Sequence, residues 1–188
     1  MPIPVVVQYR HVHLSEQDFR LLFGDAELCS ETDLGHYGQF VSSMSVEVRG
    51  KNGCFEHVRV LGPFREQTQI ELSASDVAAI GIRAPLRISG DLVRAGSCMI
   101  KGPCGSMHAR ARVLIPARHL HLNVQAAKQL GVAHSDLTRL RSTHHPSQLI
   151  DHVTVRVHPT FANEFHLSVD EAAHYWIQTG HEMTVCDT

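Results

Sequence analysis

The sequence lacks several features that would assign a protein to a class at once. It has one tryptophan in 188 residues, and aromatic residues make up only 6% of the chain. With 17 Lys and Arg against 19 Asp and Glu it has no basic excess, so nucleic acid and anionic membranes are not expected as partners. No apolar run approaches the ~20 residues of a membrane span. We therefore expect a globular protein that acts without nucleic acid or membrane.

The five cysteines exclude two further kinds of structure. Their number is odd and no two form a C-x-x-C pair, so neither a disulfide framework nor a cysteine-rich zinc site is indicated. Cys54 and Cys104 lack a recognisable catalytic context, and we interpret them as inert thiols. The apolar segment 2–7 is short and contains proline, which is not typical of a signal peptide. A reducing cytoplasm is the expected location.

Histidine, in contrast, is abundant, with 15 residues. Residues 10–14 read Arg-His-Val-His-Leu, and residues 118–122 repeat this as Arg-His-Leu-His-Leu. In a strand, residues i and i+2 project to the same face, so His-x-His brings two imidazoles to one point. Chance is the alternative in a histidine-rich chain. Two copies with the same Arg and Leu flanks favour a metal site.

Four segments place a potential ligand before a leucine and then a residue that can begin a helix as its N-cap. These ligands are His13, Glu71, His121 and His166. With the first histidine of each His-x-His pair, they give six candidate metal ligands: His11, His13, Glu71, His119, His121 and His166. Six ligands suit two divalent ions, each with three protein ligands and coordination left open for substrate. The histidine-rich donor set favours zinc.

Upstream of the candidate ligands the pattern is that of β-strands. Residues 5–7, 55–61, 112–115 and 153–157 are β-branched runs or alternate apolar with polar residues. We predict a mainly β fold with short helices, built as two small β-barrels capped by short α-helices. The repeat indicates an ancient duplication.

Arg65 follows the turn at Gly62-Pro63 and precedes Glu71, which leaves two interpretations open. A guanidinium can bind phosphate or carboxylate through two parallel hydrogen bonds. The alternative is a solvated surface arginine paired with Glu66, and the residues alone favour it.

With these residues in place, the chain resembles the PduL-type phosphate propanoyltransferases, the phosphotransacylases of bacterial microcompartments. The resemblance is carried by motifs at 10–15, 38–40, 58–63, 65, 68–71, 89–92, 117–121 and 170–172, which span nearly the whole chain. It implies two β-barrels with helical caps, the first formed by residues 1–15 plus about 110–188 and the second by residues about 36–110. It also implies a two-metal site on the six ligands named above. It also implies that Arg65 contacts phosphate, which reverses the surface interpretation.

The resemblance further implies contacts to coenzyme A. These would fall near Val7, Gln8, Tyr9, Asn52, Arg59 and Ala173. The family usually has Ser-Asn at Gln8-Tyr9, Lys at Asn52 and Asn at Ala173. We therefore expect the phosphate and metal chemistry to carry over more firmly than the coenzyme pocket.

The activity expected from the resemblance is metal-dependent, reversible transfer of a short acyl chain, such as propanoyl or acetyl, from coenzyme A to inorganic phosphate. Acyl-CoA, CoA and phosphate would be the ligands. A homodimer, association with microcompartment enzymes or shell, and a place inside a microcompartment stay open. The alternatives are a metal-dependent hydrolase on the same scaffold and a non-catalytic metal-binding assembly protein.

Overall fold

The computed structural model describes residues 1–34 and 38–186, which contain 14 strands and four short helices. The strands are Ile3–Gln8 (β1), His11–His13 (β2), Ser30–Asp33 (β3), Phe40–Arg49 (β4), Cys54–Gly62 (β5), Gln69–Glu71 (β6), Leu86–Arg87 (β7), Gly96–Lys101 (β8), Ser106–Pro116 (β9), His119–Leu122 (β10), Leu137–Ser142 (β11), Leu149–Val157 (β12), Glu164–Ser168 (β13) and Glu182–Val185 (β14). The helices are Glu16–Phe23 (α1), Ala74–Ala79 (α2), Val124–Leu130 (α3) and Val169–Tyr175 (α4). This confirms the predicted mainly β fold with short helices. Within the described ranges, no helix has the length and hydrophobicity that a transmembrane segment needs.

The chain divides into two units, one formed by Met1–Gln8 with Ala117–Thr188 and the other by Tyr9–Pro116. In the first unit, strands pair in the closed order β1-β13-β10-β12-β11-β14. In the second unit they pair in the order β4-β5-β2-β6-β9-β8, and β8 returns to β4. Both predicted barrels are therefore present.

The expected bounds of the first barrel differ from the structure at residues 9–15 and at residues 110–116, which both lie in the second unit. Residues 9–15 belong to the second unit because β2 pairs with β5 on one side and β6 on the other. Residue 36, the expected start of the second barrel, lies outside the described residues. The strand pairing, rather than proximity in sequence to β1, decides where this segment belongs.

The two barrels share one pairing pattern. In the second unit, β2 lies parallel to β5 and antiparallel to β6, which is in turn parallel to β9. In the first unit, β10 lies parallel to β12 and antiparallel to β13, which is in turn parallel to β1. The repeated His-x-His sequence thus marks a repeated barrel, as a duplication predicts.

The leucine and the cap that follow each candidate ligand have separate structural roles. Leu14, Leu72, Leu122 and Leu167 are all fully buried, which stabilises the fold by about 2 kcal/mol for each side chain. The next residue then begins a helix by accepting a backbone N–H with its side chain. These N-caps are Ser15, Ser73, Asn123 and Ser168. Each ligand therefore lies within two residues of a strand end that is held by both the core and a capped helix.

Candidate functional site

The second barrel brings three of the predicted ligands together. Strand β2 projects His11 and His13 to one side, and β6 places Glu71 directly opposite His11. All three side chains are buried, and one ligand atom from each lies within 4.8 Å of the others. His11 Nε2 is 3.5 Å from Glu71 Oε2, and His13 Nε2 is 4.0 Å from Glu71 Oε1. This trio is suited to hold one cation.

The surroundings of His13 favour the neutral imidazole that a metal requires, and a backbone contact orients the ring of His11. Burial, first, and the charges of Arg65 and His11 lower the pKa of His13 well below its ordinary value of 6.5, against a smaller raising effect from the backbone of Leu61. His11 Nδ1 lies 2.8 Å from the carbonyl oxygen of Tyr9. An Nδ1–H that donates to this carbonyl leaves Nε2 as the ligand atom.

Glu71 is oriented by two neighbouring side chains. Its Oε1 accepts hydrogen bonds from Gln69 Nε2 at 2.5 Å and from Ser89 Oγ at 2.8 Å. Its Oε2 is the oxygen near His11. Neither Gln69 nor Ser89 has a role predicted from the sequence, although both lie in segments that carry the family resemblance. Such partners hold a carboxylate in the orientation that a metal ion needs.

The first barrel holds the other three predicted ligands. His119 and His121 lie on β10, and β13 places His166 opposite His119. All three rings are buried, with centroids 4.6 to 5.0 Å apart. His119 Nδ1 lies 2.9 Å from the carbonyl oxygen of Ala117, which repeats the contact of His11. The structure therefore assembles a second trio of the predicted ligands.

Glu164 also contacts this trio, although it was not among the residues predicted from the sequence. Its Oε2 lies 3.1 Å from His166 Nε2. The available signal was its position two residues before a candidate ligand, on the same face of a strand, as Gln69 stands before Glu71.

Both trios fit a divalent transition metal by their donor chemistry. One offers two imidazoles and a carboxylate, and the other offers three imidazoles, which are the donor sets of zinc sites that leave a position open for substrate. The hydrogen bonds to His11, Glu71 and His119 described above supply the outer partners that such ligands usually have.

Arg65 lies at the edge of the second-barrel trio. The residue is half-buried; its backbone N–H donates to Leu14 O at 3.0 Å, and its guanidinium donates from Nη1 to Ser89 Oγ at 3.0 Å. It also lines a cleft of about 660 Å³. The other residues that line this cleft are Glu66, Gln67, Gln69, Gly90, Asp91, Leu92, Val93, Ala111 and Arg112. The guanidinium is thus linked to the Glu71 carboxylate through the Ser89 hydroxyl group, beside a cleft large enough for a small ligand.

The residues predicted to contact coenzyme A fall in both units. Val7, Gln8 and Ala173 belong to the first unit, and Tyr9, Asn52 and Arg59 to the second. Tyr9 is 71% exposed, while the guanidinium of Arg59 is engaged by Glu31 and by the carbonyl oxygen of Ser42, each at 3.0 Å. These contacts stay predictions.

Known proteins resemble the chain over nearly its whole length. The family model described as phosphate propanoyltransferase matches residues 4–178. A phosphate propanoyltransferase of Thermotoga maritima is 39% identical over 180 residues, which cover 95% of this chain and 86% of the relative. Those of Shewanella putrefaciens and Rhodobacter capsulatus are each 37% identical, over 90% and 94% of this chain and 81% and 82% of the relatives.

These findings, with the duplicated barrels and their histidine-rich sites, define an acyltransferase. Within that class, the chain belongs to the phosphate propanoyltransferase family. The resemblance inferred from the motifs is confirmed.

Proposed function

We propose that the protein transfers a short acyl group reversibly between coenzyme A and inorganic phosphate, with propanoyl or acetyl as the acyl group. Family membership supports the reaction type. The observation that carries the proposal is Arg65, a guanidinium that lines a cleft and is joined through Ser89 to the buried carboxylate of Glu71. A cation in this place suits a small dianion such as phosphate.

The same proposal includes two divalent metal ions per chain, with zinc as the preferred ion. His11, His13 and Glu71 would hold one ion, and His119, His121 and His166 the other. When bound, such ions supply Lewis acidity toward carbonyl or phosphate oxygens. The burial of both trios and the lowered pKa of His13 support this part of the proposal.

The chain's own contribution to the reaction is to bind and orient. Arg65 holds phosphate through two donors of its planar guanidinium and offsets its charge. A phosphate oxygen attacks the thioester carbonyl, the new C–O bond forms, and the C–S bond breaks to release CoA as a thiolate. No cysteine nucleophile is required, and burial raises the pKa of Cys98 to about 12, so this thiol is a poor one.

Contacts to coenzyme A at Val7, Gln8, Tyr9, Asn52, Arg59 and Ala173 complete the proposal. Val7 N donates to Thr179 Oγ1 at 3.1 Å, so the backbone at the end of β1 is fixed. Exposed side chains at Tyr9, Asn52 and Ala173 are accessible to a large nucleotide ligand.

The test is an assay of zinc-loaded protein with propanoyl-CoA, with and without phosphate. Free CoA is measured with a thiol reagent and acyl phosphate by trapping with hydroxylamine. We expect CoA release that requires phosphate and equals the acyl phosphate formed. CoA release without phosphate would indicate a hydrolase instead, and no release under either condition would contradict a catalytic role with this substrate.

A further inference from the structure

We infer that Thr68 is a positioning residue that fixes the segment 63–68, and with it Arg65, to the end of the strand that carries His13. This inference rests on the proposed function. Thr68 lies between Arg65 and Glu71 in the sequence, and its side chain is buried. It is neither a predicted metal ligand nor a predicted contact of phosphate or coenzyme A.

The two helices that follow the third ligand of each barrel close their N-termini with a residue of their own. In α2, the third helical residue, Asp76, accepts from the backbone N–H of the N-cap Ser73 at 3.2 Å. In α4, Glu171 accepts from the N–H of Ser168 at 3.0 Å. Helix α1 has an acidic residue at the same position, Asp18, so its N-terminus could be closed in the same way.

In α1 the hydroxyl group of Thr68 lies within this contact instead. The backbone N–H of the N-cap Ser15 donates to Thr68 Oγ1 at 3.0 Å, and Thr68 Oγ1 donates to Asp18 Oδ2 at 2.5 Å. A hydroxyl group can accept and donate at once, which an N–H or an ionised carboxylate cannot do. The N-terminus of α1 is therefore closed by the segment 63–68 rather than by the helix alone.

The helix after the other His-x-His pair, α3, is closed from outside in a similar way. Its third residue is Ala126, whose side chain offers no acceptor. The backbone N–H of the N-cap Asn123 donates to Asn163 Oδ1 at 2.9 Å. Asn163 precedes His166 by three residues, as Thr68 precedes Glu71. The repetition indicates that this contact belongs to the construction of the ligand sites.

In the second barrel the segment held in this way carries the proposed phosphate ligand. The backbone N–H of Arg65 donates to Leu14 O at 3.0 Å. The ring of Phe64 contacts that of Phe19 on α1, with centroids 5.1 Å apart. With Thr68, these contacts hold both ends of the segment to the junction of β2 and α1. Loss of the Thr68 hydroxyl should therefore displace Arg65 and weaken phosphate binding.

The first experiment compares Thr68→Val and Thr68→Ser with wild type in the phosphate-dependent assay. Valine keeps the shape but leaves the Ser15 N–H and the Asp18 carboxylate without this partner. We expect KM for phosphate to rise about tenfold in Thr68→Val, with a smaller change in kcat. Thr68→Ser keeps the hydroxyl and should stay near wild type. Asp18→Asn weakens the same contact and should raise KM about twofold, which provides a second variant if valine impairs folding.

Ser42→Ala is the matched control. Ser42 is a buried residue of the same barrel whose hydroxyl donates to Val60 O at 2.9 Å and accepts from Met44 N at 3.2 Å, so it also has one contact of each kind. The substitution should lower the stability of the fold and leave KM for phosphate unchanged. Equal changes in KM for Ser42→Ala and Thr68→Val would assign Thr68 a structural role only.

The second experiment asks whether Thr68 acts through Arg65. Binding of inorganic phosphate to zinc-loaded protein is measured by equilibrium dialysis for Thr68→Val in the wild-type and Arg65→Ala backgrounds. We expect a loss of affinity in the first background and none in the second, because coupled residues are not additive. The same loss in both backgrounds, or an unchanged KM for phosphate in Thr68→Val, would overturn the inference while wild-type activity upholds the proposed function. A wild type without phosphate-dependent activity would overturn both.

Discussion

The two barrels place their proposed third metal ligand in the same way but contact it through groups of opposite hydrogen-bonding character. Glu71 lies opposite His11, and His166 lies opposite His119. In the second barrel the ligand is an acceptor and its partner, Gln69, donates a hydrogen bond to it. In the first barrel the ligand is an imidazole, and its partner at the corresponding position is the acceptor Glu164. The duplication thus kept the geometry, and the ligand and its partner differ together.

A second feature is the same in both barrels. Arg10 Nη2 lies 2.6 Å from Asp76 Oδ1, and Arg118 Nη1 lies 2.9 Å from Glu171 Oε1. Asp76 and Glu171 each complete the capping box of the helix that follows the third ligand. The arginine before each His-x-His pair therefore ties the ligand strand to that helix. This contact accounts for the repeated arginine in the sequence.

The barrels differ where phosphate is proposed to bind. The position before Glu71 that carries Arg65 corresponds to Thr160 before His166. Since the cationic group belongs to the second barrel, we expect the first barrel to bind metal without binding phosphate through an equivalent arginine.

The largest expected effect comes from removing the third ligand of either barrel. Glu71→Ala and His166→Ala should each lose about one equivalent of zinc and lower turnover by roughly 10³-fold or more, because the Lewis acid of that barrel is lost. Zinc per chain is measured by elemental analysis beside the activity assay. His144→Ala, at an exposed histidine, is the control. Two equivalents of zinc retained in both ligand variants would contradict the proposed metal sites.

Substitution of Arg65 should have the next largest effect on turnover, and it distinguishes phosphate binding from metal binding. Arg65→Lys keeps the charge but loses the planar pair of donors, and Arg65→Ala loses both. Both variants should raise the barrier by about 2–4 kcal/mol with zinc content unchanged. Arg110→Lys, at an exposed arginine of β9, is the control. Near-normal turnover in Arg65→Lys would support the surface interpretation of this residue.

Gln69 and Glu164, the hydrogen-bonding partners of the two third ligands, provide a test with a smaller and more specific effect. Gln69→Leu and Glu164→Leu remove the outer partner of Glu71 and His166, respectively, at similar side-chain volume. Each should weaken one of the two zinc equivalents by about 10- to 100-fold in competition with a chelator, since outer partners of ligands contribute this much. Unchanged zinc affinity in both variants would show that Gln69 and Glu164 do not support metal binding.

The paired arginines give the smallest effect. Arg10→Ala and Arg118→Ala should each lower the free energy of unfolding by about 1–2 kcal/mol, because each removes a partly buried hydrogen-bonded ion pair. Urea unfolding measures this change. Arg20→Ala, which breaks an exposed pair with Glu16, should cost at most about 0.5 kcal/mol. If Arg10→Ala costs no more than Arg20→Ala, the arginine does not tie the ligand strand to the helix.

The sequence predicted the six candidate ligands because their signals are local. The His-x-His spacing defines a strand face, and the leucine and cap after Glu71 and His166 mark equivalent strand ends. The contacts of Ser89 and Asp76 could not be predicted in this way. They depend on a loop and a helix that return to the site from distant positions. For Arg65, the neighbouring Glu66 in the sequence favoured a surface ion pair. In the structure the guanidinium of Arg65 instead donates a hydrogen bond to Ser89.

The most direct test of the central claim is a zinc titration of chelator-treated protein, followed by the formation of acyl phosphate from propanoyl-CoA and phosphate. The account predicts no acyl phosphate without metal, and a rise in activity that ends at about two equivalents per chain. Full activity in the metal-free protein, or a plateau at one equivalent, would contradict it.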